Sequence, residues 1–177
     1  MKNIMTTKRL GLLLVLGGTL FLASCNQREN EVVTIKNCPA VGAVSHMTTL
    51  TRFSGPEKTN NQVQFDAYLT NLDYDCDDAD RVNTTISFTI NAKRGPALQN
   101  NVQTINYYVV VIRDNYLVTA KQTYSTQIRF SPGQETAGVR ETILQQFDDA
   151  QILRRYDYEV LIGFELAPDE IHFNVVR

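Results

Sequence analysis

Tryptophan is absent from the 177 residues, histidine occurs twice, and cysteine and methionine occur three times each. Each scarcity removes support for a class of chemistry. The two histidines, His46 and His172, stand beside no G-x-S-x-G motif, so a Ser-His-Asp site has little to build on. No cysteine pair has C-x2-C spacing and no histidine lies at ligand spacing, which argues against a zinc centre. No basic block follows residue 24, where Arg154 and Arg155 are only a pair. The electrostatic footprint of a nucleic-acid partner is therefore missing. The Gly-Gly of "LGG" at 16–18 falls inside an apolar leader, so there is no phosphate-cradling glycine loop.

What is present begins with that leader. Residues 1–9, "MKNIMTTKR", are basic, and residues 10–23, "LGLLLVLGGTLFLA", are apolar. Fourteen residues fall short of the roughly 20 needed to span a bilayer. A basic head, a short apolar core and small residues at the break are the pattern of a helical, secreted signal peptide over 1–24. The break, Leu22-Ala23-Ser24-Cys25, resembles the bacterial lipobox. That resemblance implies a diacylglycerol on the Cys25 thiol, cleavage before Cys25 and acylation of the new amine. Membrane lipid, held through Cys25, is then the first expected partner. One acyl chain anchors only marginally, at about 0.8 kcal/mol per methylene, whereas two or three hold firmly. Residues 25–37 read as the lipidated end and a polar tether. Asn26 is not the aspartate associated with inner-membrane retention, so the resemblance favours the outer membrane, facing the periplasm.

Cys38 and Cys76 remain once Cys25 is acylated. An exported chain meets an oxidising compartment, and the leftover pair is expected to form a disulfide. Closing a loop of about 39 residues would stabilise the fold by about 4 kcal/mol in the chain-entropy model.

From 38 to 177 the chain shows neither internal repeat nor Pro/Gly/Ser-rich linker, and one domain is the simplest reading. Without the leader it carries 14 basic and 19 acidic groups, a mildly acidic body unsuited to broad adhesion on anionic lipid. Its apolar period is mostly two. "VQFDAYL", "VNTTISFTINA" and "YEVLIGFEL" alternate, while "TINYYVVVIRD" is apolar throughout, as a central strand would be. "YLVTAKQTYSTQIRF" reads as a long strand with a bend. "RDNY" at 113–116 is a hairpin signal, and "KRGPALQNN" and "SPGQETAG" are loops. "VRETILQQF" suits strand or short helix, with strand preferred. Pro168, Asp169 and Glu170 suit the start of a closing helical turn.

These signals predict an all-β fold, an antiparallel β-sandwich of about seven strands. "RRYDYEVLIGF" resembles the late strand of fibronectin-III and immunoglobulin-like domains. There a tyrosine, here Tyr156 or Tyr158, ties back to an upstream backbone. The Cys-Trp-Cys pattern of immunoglobulins is absent, since tryptophan is missing and both cysteines lie early. The body also resembles small Gram-negative envelope lipoproteins in "NCPAV", "LTRF", "FTINAKRGP" and "YEVLIGFELAPDEIHFN", a likeness that implies no activity.

Three constellations bear on chemistry. Asp73, Asp75 and Asp77 repeat the D-x-D-x-D opening of a calcium loop, with Asp78 and Asp80 as further oxygens. Asp78 replaces the glycine of the sharp turn and Thr84 the closing glutamate. A solvated loop between strands is the preferred reading, with calcium the alternative. Glu135, Glu141, Asp148 and Asp149 offer carboxylates for glycoside work, but nothing fixes a separation. Tyr107, Tyr108, Tyr116, Tyr124, Tyr156 and Tyr158 lie on or beside strands, either as an exposed row for glycan or protein or, as preferred, in the core and its rim. The expected function is a non-catalytic interaction or structural module, not an enzyme, with an envelope protein as partner. No resident cofactor is expected beyond the calcium alternative. Ligand binding, to calcium or an envelope glycan, is the second reading, and a hydrolase the third.

Overall fold

The structure is a computed structural model, and it describes residues 37–78, 81–147 and 157–176. The leader, Cys25 and the tether lie outside the described residues, as do Asp80, Asp148, Asp149 and Tyr156. Lys36–Arg177 forms one compact unit.

Two four-stranded sheets pack face to face. The strands are β1 (Ala40–Ala43), β2 (Thr49–Phe53), β3 (Val63–Asp77), β4 (Val82–Arg94), β5 (Val102–Arg113), β6 (Leu117–Arg129), β7 (Thr136–Phe147) and β8 (Tyr158–Phe164). A helix, α1 (Pro168–Val176), closes the described chain. One sheet has the order β1-β8-β5-β6 and the other β2-β3-β4-β7. All pairings are antiparallel except β1 on β8.

The period-two pattern places the core. Phe65 and Ala67 of β3, Ile86, Phe88 and Ile90 of β4, and Val160, Ile162 and Phe164 of β8 are buried between the sheets. β5 is central in its sheet and buried on both faces: Tyr107, Val109 and Val111 point one way, and Tyr108 and Val110 the other. The unbroken apolar run of this strand follows from that position.

The β-sandwich expectation holds, with differences of detail. Eight strands replace about seven, because β1 and β2 are too short, at four and five residues, to give a period. Of the expected loop at 71–81, residues 71–77 are instead the end of β3, with Asp73, Asp75, Cys76 and Asp77 paired to Ser87, Thr85, Thr84 and Asn83. Cross-strand hydrogen bonding to β4 overrides the poor strand propensity of aspartate. The bend in β6 is a bulge: Val111 pairs with Ala120 and Ile112 with Val118, so Thr119 is the extra residue. The ambiguous segment at 139–147 is strand, part of β7, and α1 runs for nine residues.

The Cys38–Cys76 disulfide is present, with Cα atoms 6.2 Å apart. Cys38 lies two residues before β1 of one sheet and Cys76 lies on β3 of the other, so the bond staples the two layers. In the immunoglobulin-type order a further strand would follow β8 and pair beside it. Here the chain turns into α1 instead, and β1 takes that place in parallel.

Candidate interaction surface

The two long sides of the sandwich are finished differently. On the first side the edge strands are short and covered. β1 is four residues long, and β2 is backed by α1. Asn174 Nδ2 donates to the Thr49 and His46 carbonyls at 2.8 Å, Phe173 packs edge-on to Phe53 at 5.2 Å, and Arg52 pairs with Glu170 at 3.2 Å. Covering an edge with a helix blocks pairing with foreign strands. The disulfide closes the same side.

The second side is open. β6 and β7, 13 and 12 residues long, are the outer strands of their sheets. They lie against each other where the two sheets meet on this side. Among the described residues neither has a strand on its outer side. Most of β6 is exposed. Lysine at an edge usually deters strand addition, but Lys121 is folded back, its ammonium 4.7 Å from the centre of the Tyr108 ring.

A polar cluster lies where the open side meets the core. The Tyr107 hydroxyl donates to Glu141 Oε2 at 3.0 Å, and Tyr124 stacks on Tyr107 at 5.3 Å. Burial first, then the hydrogen bond to Glu141 and its charge, hold the Tyr107 phenol well above its ordinary pKa. Burial also raises that of Tyr108, whose hydroxyl contacts Met47 Sδ at 2.8 Å.

The end of the sandwich at which β1 begins carries the other conspicuous surface. The β5–β6 hairpin turns there through Asp114 and Asn115, both with positive φ, as such a turn requires. Tyr116, Leu117 and Val118 follow, 79%, 40% and 57% exposed. The Asp114 amide donates to the Asp157 carbonyl at 2.8 Å, and Arg113 pairs with Tyr158 at the start of β8.

The residues weighed for chemistry do not gather. Asp73, Asp75 and Asp77 occupy alternate, exposed positions on β3, about 7 Å apart at strand spacing. Asp78 accepts the Asn37 amide at 2.7 Å. Among the described residues no three His, Cys, Asp or Glu side chains converge as a metal site. Glu135 precedes β7 and Glu141 lies within it, about 20 Å along an extended chain, against the roughly 5–10 Å of paired glycosidase carboxylates. His46 lies exposed in the turn after β1, and His172 is exposed on α1. The tyrosines form no exposed row: Tyr107 and Tyr108 are buried, Tyr124 and Tyr158 half-buried, and Tyr116 alone of the named ones stands out. Tyr158 packs edge-on against Phe147 at 5.8 Å.

A cavity of about 240 Å³ between β2 and the start of α1 is lined by Arg52, Lys58, Asp169 and Glu170. Its cations are already matched, Arg52 to Glu170 at 3.2 Å and Lys58 to Asp169 at 3.0 Å. It is a joint between helix and sheet. No described helix is long and apolar enough to cross a membrane.

The open side was invisible in the sequence, because strand order decides which strand is an edge. Its nearest signal was the long, weakly apolar, threonine-rich composition of 117–129 beside the strongly apolar 102–113. Comparison with known proteins finds no matching family model, curated protein or solved structure.

Proposed function

We propose that this chain is an acyl-anchored lipoprotein of the bacterial envelope, facing the periplasm, whose sandwich is a non-catalytic interaction module. The partner, an envelope protein, adds an extended segment to the free edge of β6. The anchor rests on the resemblance of Leu22-Ala23-Ser24-Cys25 to the lipobox. The mode of binding rests on one observation: among the described residues, the 13-residue edge strand β6 has no strand on its outer side, whereas the β2 edge is covered by α1. Backbone hydrogen bonds would supply affinity in such strand addition, and alternate side chains specificity. Anchoring adds effective concentration without new contacts.

Two experiments test the two parts. Intact mass of the protein from its native host should give a chain beginning at Cys25 and carrying acyl groups, and Cys25→Ala should accumulate with its leader attached. A photo-crosslinking side chain at Thr123 should capture one discrete envelope protein in intact cells, while the same probe at Asn91, on the outer face of β4, should not. Maturation of Cys25→Ala identical to wild type would end the anchor proposal. A silent probe at Thr123 would end the strand-addition proposal.

A further inference from the structure

We propose that the β5–β6 hairpin tip is a second membrane contact, with Tyr116, Leu117 and Val118 seated in the lipid interface. The inference rests on the anchored reading above and adds which end of the body meets the bilayer, and through which residues.

Position carries the argument. β1 begins at Ala40, paired to Glu159 near the start of β8. Arg113 pairs with both Tyr158 of β8 and Leu117 of β6. Cys38, Cys76, Phe147 and Tyr158 belong to one apolar cluster at that end. The hairpin tip and the point where the tether joins the body are therefore at the same end of the sandwich. Twelve residues, 26–37, separate the expected lipid from Cys38. As a flexible chain they span about 20 Å on average, and at most about 43 Å. A body held by so short a lead keeps its attachment end within that reach of the bilayer, and the average span favours contact at that end.

The chemistry of the tip fits that neighbour. Tyrosine is favoured at the membrane interface, where its ring is apolar and its hydroxyl wet. Leu117 and Val118 add aliphatic surface that a water-facing hairpin gains nothing by exposing. Within the tip itself, residues 113–118, the two charges are paired, Arg113 Nε meeting Asp114 Oδ2 at 3.4 Å. The exposed aspartates of β3 lie at the diagonal corner, since β3 is in the other sheet and on the other side from β6. The tip and the β3 aspartates thus lie on different sides of one end, and a tilt that lowers the tip lifts the aspartates away. The free edge of β6 then runs up from the membrane for about 43 Å at strand spacing.

The absence of native tryptophan makes the test clean. Tyr116→Trp in the full lipidated protein is the sole reporter. The protein is reconstituted into phosphatidylcholine vesicles with and without brominated acyl chains. The expected result is flotation with the vesicles, a blue-shifted emission and quenching by bromine. Gln99→Trp, in the loop at the opposite end, should float equally but remain unquenched. Adding Leu117→Asp to Tyr116→Trp should weaken tip occupancy by at least about tenfold, the equivalent of losing one buried aliphatic side chain. Flotation with an unquenched Trp at position 116 would overturn the tip contact and leave the anchor standing. A protein that does not float at all would overturn both.

Discussion

Thr84 and Tyr107 are both buried polar side chains, and they stand on opposite sides of one rule. A buried donor is tolerated when it is paired and costly when it is not. Thr84 lies opposite Cys76, fully buried, and its hydroxyl has no hydrogen-bond partner among the described residues. Thr84→Val keeps the branched shape that a strand favours and removes the orphan. It should stabilise the protein by about 1 kcal/mol, seen as a higher urea midpoint at unchanged slope. Tyr107 is paired, to Glu141. Tyr107→Phe strips a half-buried carboxylate of its donor and should destabilise by about 1–2 kcal/mol. The same pair sets a pH response. The folded phenol holds its proton above the unfolded value near 10, chiefly through burial. Its contribution is therefore whole below about pH 10 and fades as pH rises toward the folded value. Urea titrations from pH 9 to 11 should show the wild type losing stability more steeply than Tyr107→Phe, and parallel curves would contradict the assigned environment. The sequence placed Tyr107 on a strand and its packing preference in the core. It did not place Glu141 across from it, because that meeting joins β5 and β7 of different sheets.

At the scale of the elements, how an edge strand is treated decides what surface remains. β2 is protected by α1, and the start of that helix is fastened by Lys58, whose ammonium donates to the Asp169 carbonyl at 2.6 Å and pairs with its carboxylate. The hydrogen bond from Lys58 is the main cause holding the Asp169 carboxyl below its usual pKa. A depressed carboxylate favours the docked helix above its unfolded value, near 4, and loses that effect as pH falls through the folded one. Protection factors against hydrogen exchange should therefore fall at α1 and β2 on acidification below about pH 4, before those of β4 and β5 respond. Lys58→Met should weaken the pH dependence, with the Arg52–Glu170 pair still in place, while leaving both central strands protected. Pro168, Asp169 and Glu170 made the start of α1 legible, because helix entry uses short-range chemistry. The acidic end of β3 was not legible. Aspartate is a poor strand former, and only a partner such as β4, with the register Asp73–Ser87 to Asp77–Asn83, keeps it extended. β1 and β2 escaped notice for a related reason, since strands of four and five residues are fixed by their neighbours.

For the whole molecule the governing feature is asymmetry between a closed and an open side. The fold class was readable, because alternation in β3, β4 and β8 and the apolar run of β5 report burial directly. Which sides are closed was not, because closure is set by strand order and by contacts distant in sequence. The clearest case is β1, a parallel strand of four residues on β8. So short a pairing contributes little by itself. Cys38, two residues before β1, ties it to β3 in the opposite sheet. A sequence separation of 38 corresponds to about 4 kcal/mol of lost unfolded-state entropy. Cys38→Ala together with Cys76→Ala should therefore lower the unfolding free energy by about 4 kcal/mol in urea, and the loss should be distributed unevenly. Hydrogen exchange in the double variant should rise first along β1 and β8, where the strand loses its tether, with β6 and β7 changing only as far as global stability falls. An even rise over both sheets would mean that the bond acts solely on the unfolded chain. A rise confined to β1 and β8 would mean that it also holds the closed side shut.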